Sequence, residues 1–175
     1  MRLVVTRPQP DGERTAAALR ARGYDVLLAP LMRVVPIPVE IAGDWDAIIL
    51  TSANAANAIA HNAARKALCK LPAFAVGQHS AEAAREVGFV DVTSAGGDVR
   101  DLVRLIAERH PDARAPLLYL AGEDRAADLV SELAMRGIAA EMAVVYRVVT
   151  AQFSPALTAA LTHGEVDAVL HFSRR

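Results

Sequence analysis

The sequence predicts an α/β protein built on parallel sheets and divided into two domains. Three observations carry that expectation. First, six short apolar runs end at a small or hydroxyl residue where a helix opens at once: Thr6, Thr51-Ser52, Gly77, Thr93-Ser94, Gly122 and Ser173. Strands that each feed a helix must lie parallel, so their carboxyl ends share one edge. Second, a helix–Gly–strand join recurs at Gly23, Val87-Gly88-Phe89, Arg136-Gly137-Ile138 and His163-Gly164-Glu165, the place where a left-handed cap is wanted. Third, Leu31–Val39 and Met142–Thr150 are extended stretches that break the rhythm.

The first strand is expected over Leu3–Thr6, and a helix follows Pro8, Pro10 and Asp11 to about Arg22 with Ala16 and Leu19 on its apolar stripe. Tyr24–Ala29 is the second strand, ended by Pro30. Leu31–Val39 contains two prolines and leads to no helix, so it is read as a crossing between domains. Strands follow at Ala47–Leu50, Ala73–Val76, Val90–Thr93, Leu117–Leu120 and Ala139–Val145. The helices between them are expected over Ala55–Leu68, Ala81–Val87, Val99–Arg109 and Ala126–Arg136. Asp98 suits an N-cap and Asp101 a favourable charge in the first turn. Met142–Thr150 is the return crossing. Ser154-Pro155 suits an N-cap and first helical residue, a helix runs to about Thr162, and Val166–Phe172 is a last buried strand.

These elements place the first domain at residues 1–31 plus 152–175, the crossings at 32–38 and 142–151, and the second domain at 39–141, its last strand running to about 145. The second domain is a complete unit. The first holds only three strands, and a parallel sheet that stops directly after a strand leaves an edge and a face uncovered. Self-association through that incomplete first domain is therefore expected.

Composition narrows the function. With 53% hydrophobic residues there is ample material for a core, and a net charge of -1 argues against a nucleic-acid surface. A single cysteine, Cys69, excludes an internal disulfide framework and suits a reducing cytosol. The apolar stretch at Met1–Thr6 is too short for a signal peptide, and no run approaches a membrane span. The expectation is a cytoplasmic protein with neither a nucleic-acid nor a membrane partner.

No familiar catalytic cluster is present. Thr6-Arg7-Pro8-Gln9-Pro10-Asp11 cannot cradle a phosphate, because two prolines remove N–H donors. Neither G-x-G-x-x-G nor the Walker spacing occurs. His61, His79, His110, His163 and His171 lack ligand spacing, so no metal is expected. Cys69 is read as a packing residue. Ser52 is an N-cap or an N-cap that also meets an anion. Gly77-Gln78-His79-Ser80 and Gly122-Glu123-Asp124 supply turn geometry or backbone approach to a ligand. Tyr146 is open between packing and catalysis. What the pattern does offer is an edge where helix amino termini collect, with free N–H donors that suit anions.

In order and placement, several segments together resemble the uroporphyrinogen-III synthase family. They are Val5-Thr6-Arg7-Pro8, Leu28-Ala29-Pro30-Leu31, Leu50-Thr51-Ser52-Ala53-Asn54, Val76-Gly77, Thr93-Ser94-Ala95, Leu120-Ala121-Gly122, Val145-Tyr146-Arg147 and Phe172-Ser173. The resemblance implies two flavodoxin-like domains joined by a two-stranded ladder, with a cleft between them. It implies a lyase that cyclises hydroxymethylbilane to uroporphyrinogen III, expelling the terminal hydroxyl and inverting ring D through a spiro intermediate, without metal or organic cofactor. It further implies Tyr146 as proton donor to the leaving hydroxyl, and Arg7, Thr51, Ser52, Gly77, Ser80, Gly122 and Ser173 as substrate contacts. The family pattern continues past Ser173, whereas here Arg174-Arg175 follow, so the first domain is expected to be truncated. Two other readings stay open: a two-lobed polyanion-binding module without turnover, and an associating fragment without activity.

Overall fold

The computed structural model describes residues 1–111, 113–124 and 128–171. The strands form two sheets, most of their pairs parallel. The first takes the order β2-β1-β9, from β1 (Arg2–Val5), β2 (Asp25–Leu28) and β9 (Ala168–Leu170). The second takes the order β3-β8-β7-β4-β5-β6, from β3 (Met32–Pro36), β4 (Ile48–Leu50), β5 (Ala73–Ala75), β6 (Val92–Ser94), β7 (Leu117–Gly122) and β8 (Ala140–Thr150). The pairs β4–β5, β4–β7, β5–β6 and β7–β8 are parallel. The chain divides into unit 1, Met1–Val34 with Val148–Arg175, and unit 2, Val35–Arg147.

Unit 1 is a small sheet with one helix per face. Val4 packs with Ala29 and Leu157 of α7 (Pro155–Thr162), while Val5 packs with Ala16 of α1 (Asp11–Arg20) and Val26. The alternation is the period of two that puts successive side chains on opposite faces. Arg2 crosses the head of the sheet, its Nε donating to Asp25 at 2.7 Å and its Nη1 to Glu165 at 2.5 Å. These groups lie in solvent and contribute little to stability, and the two carboxylates hold the Arg2 guanidinium above its ordinary pKa, Asp25 most strongly.

Unit 2 is the larger body. Its central strand β4 is buried along its whole length, as a parallel strand covered on both faces should be. On one face Ile49, Phe74, Leu117 and Tyr119 form a core with Leu102, Val103 and Ile106 of α5 (Val99–Arg109) and with Leu129 and Leu133 of α6 (Leu129–Ala134). The other face lies under α2 (Ala53–Ala58) and α4 (Gln78–Val87), which also pack on each other. Counted from β4, the five parallel strands take the order 3-2-1-4-5. That is one of the two common doubly wound orders, the other being the 2-1-3-4-5 of flavodoxin. The flavodoxin-like expectation is thus corrected in its strand order, while the parallel α/β character stands.

Local signals explain most of the boundaries. Asp98 accepts hydrogen bonds from the Arg100 and Asp101 N–H groups at 2.8 and 3.1 Å, and Asp101 accepts from the Asp98 N–H at 3.1 Å. This reciprocal box starts α5. Ser154 Oγ accepts from the Leu157 N–H at 3.1 Å and starts α7. Gly88, at φ 117°, ends α4 in the left-handed region that its missing Cβ makes accessible.

Three elements differ from expectation beyond small shifts at their ends, the first being the last strand: expected to be buried, it is β9, with Val169 54% exposed. The helix expected over residues 55–68 is two short ones, α2 and α3 (Arg65–Leu68). Asn62 divides them: its Oδ1 accepts from the Ala64 N–H at 2.9 Å, and its Nδ2 donates to the Val39 carbonyl at 3.0 Å. A short amide that satisfies backbone groups locally competes with the helix ladder. The last strand of unit 2, expected to run into the return crossing as far as about 145, continues to Thr150 as one strand, β8, of 11 residues. It lies beside β3 in the sheet, and the Ile37 N–H donates to the Val145 carbonyl at 2.8 Å.

At the amino-terminal edge of unit 2, Asp46 clamps the approach to β7. Its Oδ2 accepts from the Ala115 N–H at 3.0 Å and from the Arg114 N–H. Those two backbone donors, Ala115 first, hold the carboxyl below its usual 3.8. A lowered native value means that the clamp stabilises the fold above the unfolded-state pKa and is lost as pH falls through the native one. Asp46→Asn is therefore expected to lower the melting temperature at neutral pH, with the gap narrowing as pH falls below the unfolded-state value of about 4. A gap that is constant across a thermal-melt series in pH would remove the electrostatic account.

Candidate functional site

Parallel sheets place their ligand-facing groups outside the strand carboxyl ends, at the point where the strand order reverses. In unit 2 that point lies between β4 and β7, since the chain winds from β4 through β5 to β6 on one side and through β7 to β8 on the other. Along the carboxyl edge lie Tyr146, within β8 and level with the end of β7, then Gly122 at the end of β7, Thr51-Ser52 after β4 and Gly77 after β5. From Tyr146 to Gly77 is three strand spacings, about 14 Å.

Tyr146 and Gly122 are built as one feature. The two residues are register partners, with an irregularity in the β7–β8 ladder just before them, between Ala121 and Gly122. The Glu123 N–H donates to the Tyr146 carbonyl at 2.9 Å, which holds the backbone close. A Cβ on Gly122 would sit 2.6 Å from Tyr146 Cζ and 2.8 Å from its hydroxyl oxygen. The phenol ring therefore occupies the space that any larger residue at 122 would need. Tyr146 is 9% exposed in this seat. The sequence offers Gly122 as turn geometry or a backbone contact, and its steric role toward Tyr146 comes from the structure. The signal was present only as a glycine ending a strand.

At the reversal point itself Thr51 Oγ1 lies 2.9 Å from the Tyr119 hydroxyl. Ser52 is the N-cap of α2, its Oγ accepting from the Asn54 N–H at 3.2 Å, so its N-cap reading holds in the structure. Gly77 is the N-cap of α4 in extended conformation, and its Cα faces open space. Gly77 has no side chain of its own to cap α4, and the start of this ten-residue helix carries the positive end of its dipole. Ser80 is buried on the inward stripe of α4, which makes it a poorer ligand contact than the backbone before it.

The remaining expected residues lie elsewhere. Arg7 belongs to unit 1, where its Nη2 pairs with Asp11 Oδ2 at 2.7 Å. Ser173 falls outside the described residues, as does the end of the strand expected to reach Phe172. Cys69 is a buried free thiol whose pKa burial pushes up, the state of a packing residue rather than a nucleophile. Among the described residues no group of histidine, cysteine and carboxylate side chains could hold a metal ion. Among them, too, no helix is long and apolar enough to cross a membrane.

Comparison with known proteins agrees with this architecture. The family described as uroporphyrinogen-III synthase HemD matches residues 13–175. No curated protein matches the chain significantly in sequence. Among solved structures, uroporphyrinogen-III synthetase from Helicobacter pylori is similar at 23% identity and TM-score 0.62, covering 92% of this chain and 68% of its own. A mutant uroporphyrinogen III synthase from Thermus thermophilus is similar at 21% identity and TM-score 0.58, covering 97% of this chain and 71% of its own. Likeness at this level of identity speaks for the fold.

The packing of Tyr146 on Gly122 makes a direct prediction. Gly122→Ala should overpack the pair and cost about 1–3 kcal/mol in a urea or thermal melt, because the opposing atoms belong to a stiff ring. A variant as stable as the parent protein would mean that Tyr146 is not seated on Gly122.

Proposed function

The chain belongs to the uroporphyrinogen-III synthase family, a family of lyases of porphyrin biosynthesis, and from that premise we propose that the carboxyl edge of unit 2 is where it meets its substrate. The reaction closes linear hydroxymethylbilane into uroporphyrinogen III, with loss of water and inversion of ring D. We further propose that unit 2 is a complete α/β domain and unit 1 an incomplete one assembled from both ends of the described chain. Their different strand numbers support this.

The single observation that carries the site reading is the coincidence at one sheet edge of a seated phenol and uncharged donors. The substrate bears acetate and propionate groups, which are anions at neutral pH. Thr51, Ser52 and the backbone at Gly77 and in the first turn of α4 would hold them by hydrogen bonds that the carboxylate charge strengthens. The span of about 14 Å along four strands is of the order of a tetrapyrrole. Arg7, Ser80 and Ser173 enter the reading through the family resemblance alone.

The chemistry asks little more. An electron-rich pyrrole pushes out its own hydroxyl, and the departing oxygen needs one proton to leave as water. Tyr146 would supply it from its hydroxyl, the ring being fixed here by its glycine seat. The rest is orientation: the two chain ends must meet in the geometry that inverts the last ring, and such positioning can be worth several kcal/mol, up to about 7–11.

The test is the isomer formed. Hydroxymethylbilane left to itself closes to the type I isomer, so formation of uroporphyrinogen III by the purified protein is the expected result, and exclusive type I product would refute the activity. Tyr146→Phe should lower kcat about 100-fold, the lower bound for loss of a positioned proton donor, with the melting temperature little changed. Undiminished turnover would remove Tyr146 from the chemistry and leave it a packing residue.

A further inference from the structure

Tyr119 lies in the middle of β7, opposite Ile49 in the ladder. Thr51 follows Ile49 by two positions, so it shares a sheet face with it and with the Tyr119 ring. That face is the apolar core under α5 and α6, with Ile49, Phe74, Leu102, Val103 and Ile106 around the ring. Tyr119 is 4% exposed, and burial in such a place requires its hydroxyl to find a partner. The partner is Thr51 Oγ1 at 2.9 Å, on the strand across the reversal point. Thr51 itself is only half-buried, so the pair reaches from the dry core to the carboxyl edge.

Either hydroxyl in such a pair can donate. The choice is settled by what lies on the open side of Thr51. A carboxylate there can only accept, so Thr51 must spend its one proton on it, and Tyr119 must then donate to Thr51. Resting on the reading of Thr51 as a carboxylate contact, we propose that Tyr119 is a positioning residue. It donates to Thr51 and thereby commits the Thr51 hydroxyl proton outward, tuning this part of the edge for an anionic group. Consecutive hydrogen bonds that point the same way also polarise one another, which strengthens the outer one. The effect is on binding, since the carboxylate carries the same charge before and after ring closure.

The experiment is a double-mutant cycle on the full chain, with kcat and KM for hydroxymethylbilane and a thermal melt for each variant. Tyr119→Phe keeps the ring and removes only the hydroxyl. It should raise KM about fivefold and leave kcat within about twofold, the pattern of lost uniform binding. Thr51→Val should raise KM at least as much, and the double variant should be no worse than Thr51→Val alone. The melts separate this from a packing defect. Thr51→Val strands a buried phenol hydroxyl and should melt lowest, while the double variant, with both polar groups gone, should recover part of the loss. If Thr51→Val raises KM and Tyr119→Phe does not, the positioning role is overturned and the site reading stands. If neither raises KM, or the parent protein forms no type III isomer, both fall. Additive effects on KM would likewise overturn the coupling.

Discussion

The structure of unit 2 depends on one constraint, the burial of β4 between two parallel neighbours. A parallel strand buried on both faces cannot be joined to its neighbours by tight turns, so each connection must cross a face of the sheet. From β4 the chain goes out to β5 and β6 and later resumes on the opposite side at β7 and β8. Helices from the two directions then open on opposite faces, and no crossover covers the edge between β4 and β7. The gap is a consequence of winding, and it appears before any residue is chosen for chemistry.

What fills the gap follows from how closely backbones approach there. Gly122 gives up its side chain, and the Tyr146 ring takes that volume. Gly77 starts α4 with no side chain of its own to cap it. The contrast with α5 is instructive: Asp98 and Asp101 close that helix start on itself with a complete capping box.

Much of this was legible in the sequence, and the part that was not has a common cause. The strand ends at Thr51, Gly77 and Gly122 were readable because a parallel βα unit stops at small or hydroxyl residues. The caps at Asp98 and Ser154 were readable because capping is local. Asn62 could have warned that the long helix would break, but a mid-helix asparagine has solvent as its ordinary partner, and its bond to the Val39 carbonyl is invisible without the fold. Strand order escaped for the same reason, since composition fixes that strands are parallel but not which neighbours pair. Tyr119 and Asp46 escaped too. Each acts across a strand pair or on the backbone of a distant segment, at separations of 68 residues for Tyr119 to Thr51 and 69 for Asp46 to Ala115.

The neutral character of the proposed site has an energetic logic. A pocket of arginines would attract carboxylates strongly, but each guanidinium placed at a half-buried edge loses hydration, and whatever is not repaid by the ligand destabilises the empty protein. Backbone N–H groups at a helix start carry partial charge only, already oriented by the helix and needing no counter-ion when the site is empty. A substrate with many carboxylates can be held by several such weak donors at once, and because each acts alike on linear and cyclic forms, none of them traps the product. The one group required to act on the reacting atoms is then free to be a phenol, whose neutrality before proton transfer costs little to bury. A fold that brings a glycine-started helix and a glycine-seated tyrosine to one edge can thus serve an acid-rich substrate without concentrating positive charge, in keeping with a chain whose net charge is -1.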